Sequence, residues 1–174
     1  MHMRGERVTL RPLLKEDSPH YFKWINHKEL VLCNAAFKPV SEQEHEAWFS
    51  KVTSDPNAVL FSIVANQDNR LIGSCSLRRI NMLHKNAELQ IRIGEIDYHN
   101  RGFGSEAVHL LVQYGFANLN LERIYLHVFA NNKKAIKAYE KCKFQQEGIL
   151  RKAAYVNGSY INVHIMAILK DETY

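Results

Sequence analysis

The segment Arg101-Gly102-Phe103-Gly104-Ser105-Glu106-Ala107 is the first place where this sequence could do chemistry. Two glycines ahead of a helix let successive backbone N–H groups point into one concavity, and the helix N-terminus adds roughly half a positive charge. Such a loop suits a phosphate or pyrophosphate, although a strand-to-helix turn that binds nothing has the same composition. Triphosphate hydrolysis is excluded, because a P-loop needs Gly-Lys-Ser/Thr and the sequence has none. The G-x-G-x-x-A spacing does meet the dinucleotide fingerprint, which also wants an acid about 20 residues on, at the far end of the next strand. Glu122 has the distance but stands where that strand begins, and the far end is Ala130-Asn131-Asn132.

Downstream comes Asn132-x-x-Ala135-x-x-x-Tyr139. Together with Gly102-x-Gly104, its helix and the strand Arg123–Val128, this arrangement resembles the GNAT superfamily of acetyl-CoA-dependent N-acetyltransferases. Leu10-Arg11-Pro12-Leu13, Ala87-Glu88-Leu89-Gln90-Ile91, Tyr114-Gly115-Phe116, Leu119-Asn120-Leu121 and Val156-Asn157-Gly158-Ser159-Tyr160 are similar to one branch of it. That branch holds ribosomal-protein N-terminal acetyltransferases and spermidine N-acetyltransferase, and the resemblance covers nearly the whole chain. Two positions depart from the family pattern. His99 stands where Gln or Arg is usual, leaving Arg101 to supply the positive charge, and Cys142-Lys143-Phe144 replaces Leu-Gly-Phe. A left-handed Lys143 would cost about 1 kcal/mol.

The resemblance implies a site for acetyl-CoA and no metal. The diphosphate falls to His99, Arg101, Gly102, Phe103, Gly104 and Ser105, while the backbone of Ile91, Arg92 and Ile93 pairs with the pantetheine arm as an added strand. Asn132 either binds that arm or caps its own helix. Lys133, Lys134, Lys137 and Lys141 either meet cofactor phosphates or form a solvated face. Tyr139 matches the family's general acid to the departing thiolate: a tyrosine with pKa about 10 holds its proton where a thiol near 8.5 begins to lose it. Otherwise Tyr139 packs beside Ala135 and Ile136. Glu88, on the polar face of its strand with Gln90 and Arg92, is the candidate base, or else an ion-paired strand carboxylate. His127, sharing a face with Tyr125, competes for that role, while Cys142 lacks the His/Asn partners of a nucleophile.

The elements that must position these residues follow from periodicity. Arg7–Arg11, Leu60–Ala65, Leu71–Ile80, Ala87–Ile93, Ile124–Val128, Phe144–Tyr155 and Tyr160–Leu169 read as strands. Helices are expected from Glu16-Asp17-Ser18 through Tyr21, Phe22, Trp24 and Ile25, over Glu42–Lys51 behind a Ser41-x-x-Glu44 capping box, from Ser105 to Leu119, and from Asn132 to Cys142. The class is α+β (α/β), and the resemblance implies a mixed, mostly antiparallel sheet of about seven strands flanked by about four helices.

At 174 residues, with 46% hydrophobic and 24% charged, the chain is long enough for one domain over residues 1–174 and is neither disordered nor fibrous. Cys33, Cys75 and Cys142 show no CxxC or Cys/His metal spacing, so a reduced cytoplasmic setting is expected. Met1–Arg11 carries no apolar signal core and no stretch is apolar enough to span a membrane. The net charge of +5 suits an anionic cofactor or belongs to a merely basic protein, and no helix-turn-helix or zinc-finger spacing points to nucleic acid. A homodimer is expected by family analogy. Trp24, Asn26, Trp48, Tyr155 and Tyr160 are the acceptor-site candidates. A peptide α-amine, with pKa near 8, deprotonates more easily than a polyamine near 10.4, and a cationic protein does not attract a polycation. The order expected is peptide N-terminus, polyamine, then amino sugar or aminoglycoside. A non-catalytic acetyl-CoA sensor and a dinucleotide oxidoreductase are the alternatives.

Overall fold

Period-two alternation builds the sheet, and the computed structural model, which describes residues 2–173, keeps the expected order of elements. Strands β1 (Met3–Arg4) and β2 (Val8–Pro12) lead into helices α1 (Ser18–Ile25), α2 (Lys28–Leu32) and α3 (Glu42–Thr53). Strands β3 (Val59–Ala65), β4 (Arg70–Asn81) and β5 (Asn86–Ile93) are followed by helix α4 (Phe103–Ala117) and strand β6 (Arg123–Phe129). Helix α5 (Lys133–Lys141) and the hairpin of β7 (Gln145–Val156) with β8 (Ser159–Leu169) complete the chain. The 8-stranded sheet runs β1-β2-β3-β4-β5-β6-β8-β7, and only β5 and β6 are parallel. One strand exceeds expectation because Met3 and Arg4 pair with Leu10 and Thr9. One helix does so because α2 buries Leu30 and Val31 without a side-chain N-cap to announce its start.

Each face of the sheet has its own cover. Leu89, Ile124 and Leu126 join Ala107 and Leu111 of α4 in the main core, at most 2% exposed. On the other face Tyr21 and Trp24 of α1 pack with Leu30, Val64 and Leu71. The polar sides of β4 and β5 are thereby partly withdrawn from water: Ser76 is 7% exposed and Glu88 8%, Arg78 and Arg92 are half-buried, and Gln90 stays exposed.

Buried polar contacts fix that cover in place. The Asp17 carboxylate ahead of α1 accepts from Arg11 at 2.7 and 2.8 Å, from the Leu14 amide at 2.9 Å and from Ser62 on β3 at 2.7 Å. Burial alone would raise the Asp17 pKa, but these donors, led by Arg11, hold it below the ordinary value. At α3 the capping box forms as read, with the Glu44 amide donating to Ser41 Oγ at 3.2 Å and the Ser41 amide to Glu44 Oε2 at 2.9 Å.

Candidate active site

Strands β5 and β6 pair only from Asn86↔Arg123 to Glu88↔Tyr125, after which they diverge. Beyond that point β5 keeps β4 as its partner and β6 keeps β8. The facing edges, from Leu89 and from Leu126 onward, bound a cleft of about 740 Å³. Backbone N–H and C=O groups along such an edge need partners, and an extended ligand carrying amides supplies them. One is met internally, where His99 Nε2 lies 2.8 Å from the Ile93 carbonyl. Ile91, Arg92, Ile93, His99, Gly102, Phe103, Gly104, Ser105, Asn132, Glu88 and Tyr139 all line this cleft, so the structure gathers the catalytic candidates and, Arg101 apart, the residues assigned to acetyl-CoA.

Arg101 is outside that lining. Its guanidinium lies over Tyr98 and Phe103, 5.6 and 5.3 Å from the ring centroids, and donates to the Asp97 carbonyl at 3.1 Å. Arg7, also outside the lining, braces the loop, its Nη1 donating to the Arg101 carbonyl at 3.0 Å. Gly102 caps α4 with φ 82° and no side-chain acceptor, so the first amides of the helix stay available to an anion. The left-handed conformation calls for glycine there, and a Cβ would sit 2.7 Å from Arg7 Nη1, displacing the end of that side chain. Glu106 anchors the arrangement by accepting from the amides of Glu6, Arg7 and Val8 at 3.1, 2.8 and 2.7 Å.

Helix α5 brings Tyr139 to the opposite wall. Asn132 Oδ1 caps it, accepting from the Ala135 amide at 3.3 Å, and Nδ2 donates to the Cys33 carbonyl at 3.2 Å. The half-buried Tyr139 ring packs on Phe144 at 5.8 Å, and burial pushes its phenol up to about 12. Burial also raises the Cys142 thiol, whose Sγ donates to the Ser105 carbonyl at 3.6 Å, so Cys142 is held as a thiol rather than a nucleophilic thiolate.

Glu88 sits at the point of divergence. His127 Nδ1 lies 2.9 Å from its Oε1, and Arg79 Nη1 lies 3.6 Å from its Oε2. The two residues read as rivals for the base thus form one pair at the closed end of the cleft.

A second cavity of about 480 Å³ opens under α1 and α3 and shares Asn34, Gln90, Ile91 and Arg92 with the cleft. Trp24 and Trp48 line it, with Tyr21, His45, Ser74 and Arg78. The other three acceptor candidates lie elsewhere. Asn26 clamps Val40, donating to its carbonyl at 3.0 Å and accepting from its amide at 2.8 Å. Tyr155 and Tyr160 face one another across the exposed β7–β8 hairpin, 57% and 65% exposed.

An acetyltransferase (GNAT) domain family model matches residues 7–145. The chain belongs to the GNAT family. It is 33% identical over 168 residues to spermidine N(1)-acetyltransferase of Vibrio cholerae, covering 97% of this chain and 96% of that one. It is 31% identical over 170 residues to the N-acetyltransferase p20 of Bacillus licheniformis, covering 96% and 95%. The crystal structure of spermidine N-acetyltransferase from Vibrio cholerae in complex with CoA and spermine superposes with a TM-score of 0.90 at 32% identity, over 97% of this chain and 99% of that one.

This GNAT chain is therefore an acetyl-CoA-dependent N-acetyltransferase. Its residues fit that co-substrate: free amides at the α4 terminus for the diphosphate, and an unpaired β5 edge for the amides of the pantetheine arm. Among the described residues no group of three or more His, Cys, Asp or Glu is placed to hold a metal ion, and no helix is long and apolar enough to cross a membrane. Arg7, which braces the loop, and Arg78, which lines the second cavity, are not marked by the sequence. No local signal marks Arg7, which meets the loop from 94 positions away. Arg78 reads as the solvent side of a strand until α1 and α3 cover it.

Proposed function

We propose that the chain transfers an acetyl group directly from acetyl-CoA to the primary amine of an acceptor held in the cavity beneath α1 and α3. The observation that carries this reading is the meeting of the two cavities at Gln90–Arg92, with Glu88 and Tyr139 on the walls of the cleft. Bound acetyl-CoA supplies an activated thioester. Glu88, oriented by His127, takes the amine proton directly or through water, leaving the nitrogen lone pair to attack the acetyl carbon. Tyr139 donates its O–H to the sulfur as the carbon–sulfur bond breaks. Gly102, Gly104 and Ser105 present amides to the diphosphate, and His99 orders the Ile93 end of the pantetheine edge.

Spermidine is the first acceptor to assay, because relatives of the chain are spermidine N(1)-acetyltransferases. A peptide N-terminus, favoured on charge and amine pKa, gains no support from those relatives. Residues 1–174 act in this reading as one acetyltransferase domain, in a reducing cytoplasm that suits the free Cys33, Cys75 and Cys142.

The test is release of CoA thiol from acetyl-CoA over a panel of primary amines, spermidine and short peptides included, with the N-acetyl product confirmed by mass. Thiol and product appearing one for one, and only with both substrates present, is the expected result. Binding of acetyl-CoA with no transfer to any amine would make the chain a sensor domain.

A further inference from the structure

The cavity beneath α1 and α3 has an unusual charge for an amine site. Along β4 and β5 the register pairs Ser74 with Arg92, Ser76 with Gln90 and Arg78 with Glu88. Both arginines line the cavity, flanking the Ser76–Gln90 pair, whereas Glu88 lines only the neighbouring cleft. Glu88 does not answer Arg78, since its oxygens are engaged by His127 and Arg79. The acid on the cavity wall is Glu44, already held by Lys38 at 3.0 Å and by the Ser41 amide. His45, also on the wall, places Nε2 2.9 Å from Ser18 Oγ and 3.0 Å from its carbonyl.

Arg92 is poorly satisfied where it stands. Its Nη2 donates to Asn34 Oδ1 at 3.1 Å, and its Nε is buried without a hydrogen-bond partner. Burial works against its charge. Among the described residues no acid lies within ion-pair distance of Arg78 or Arg92. A half-buried guanidinium with its Nε unpaired and no counter-ion favours an incoming anion, and a bidentate anion is the ligand that its geometry fits. A polyamine would instead bring ammonium groups against two cations that lack a counter-ion, with one acid nearby that is already paired.

We infer that the acceptor is a small primary amine that also carries an anionic group, a carboxylate or a phosphate, received by Arg78 and Arg92, and that spermidine is a poor acceptor. This rests on the transfer reading above. The same cations assist the chemistry, because a neighbouring positive charge favours the neutral, nucleophilic form of the amine. The transfer balances as before: the N–C bond forms, the C–S bond breaks, the amine proton leaves to Glu88 and the thiol is restored through Tyr139.

Matched acceptors test the inference: an ω-amino acid against its amide, O-phosphoethanolamine against ethanolamine, and spermidine beside them. Thiol release gives kcat/KM, and thermal shift in the presence of CoA reports binding of the same compounds. One anionic member should exceed its neutral partner and spermidine by about tenfold or more, the strength of a charge-assisted hydrogen bond. The carboxylate and phosphate arms decide which anion is read. The preference should collapse in Arg78→Gln and, independently, in Arg92→Gln. Spermidine or the neutral amines matching the anionic ones in wild type would overturn the inference and leave acetyl transfer standing. Arginine-dependent binding of an anionic amine without acetylation of any amine would keep the anion site and overturn the transfer reading.

Discussion

Replacing Tyr139 by phenylalanine removes one oxygen and separates catalysis from packing. Burial and the nearby Cys142 account for the raised phenol, and no hydrogen bond within the protein contributes. The ring contact with Phe144 survives the change, so stability should hold within about 0.5 kcal/mol. What is lost is a donor to a sulfur acquiring charge. Such a bond is worth about 1.5–3 kcal/mol, or roughly 10- to 150-fold in kcat. A phenol pushed up to about 12 stays protonated across the working range, so Tyr139 itself imposes no alkaline fall in rate below that value. The assay is thiol release with the best acceptor of the panel, beside calorimetric affinity for acetyl-CoA and a melting curve. The expected outcome is a large drop in kcat with both other readouts unchanged. Turnover within twofold of wild type would remove Tyr139 from the chemistry, and a variant that melted several degrees lower would make it a packing residue.

Substitutions at three other residues probe separate links. Glu88→Gln should lower kcat by about 100-fold or more, as loss of a general base does, with acetyl-CoA affinity retained; near-normal kcat would leave the proton to another group. Asp17→Ala strips Arg11 of a buried partner at 2.7 Å and should destabilise by about 3 kcal/mol, lowering Tm by roughly 6–12 °C in a melting curve. Because the folded Asp17 pKa is depressed, its contribution is fully present above the ordinary carboxylate value and fades as pH falls through the folded one, which acid titration of wild type against Asp17→Asn should show. Lys143→Gly relieves a left-handed residue at φ 71° and should stabilise by up to about 1 kcal/mol in urea unfolding.

Local rules carried a good part of this reading. The strand alternation of Ala87–Ile93 placed Glu88 opposite the core, and the glycine loop sat where α4 begins. Lys143 follows the last turn of α5 in the left-handed conformation that a glycine would adopt at no cost. Each depends on neighbours in sequence. The rest depends on which distant surface covers a residue. Glu88 and His127 are 39 positions apart, and only the parallel pairing of β5 with β6, which ends at Glu88↔Tyr125, brings them together. Arg101 carried the right charge in the right place, but Tyr98 and Phe103 offer it ring faces on the other side. Arg78 and Arg92 occupy strand positions that face water in an open sheet, and α1 and α3 turn that side into a cavity.

The most direct measurement is a calorimetric titration of the protein with acetyl-CoA, with NADH as the control ligand. Micromolar binding of acetyl-CoA alone, weakening as salt rises because an anion is held at the loop, is the expected result. Absence of heat with acetyl-CoA, or NADH binding in its place, would contradict the assignment of the cleft between β5 and β6.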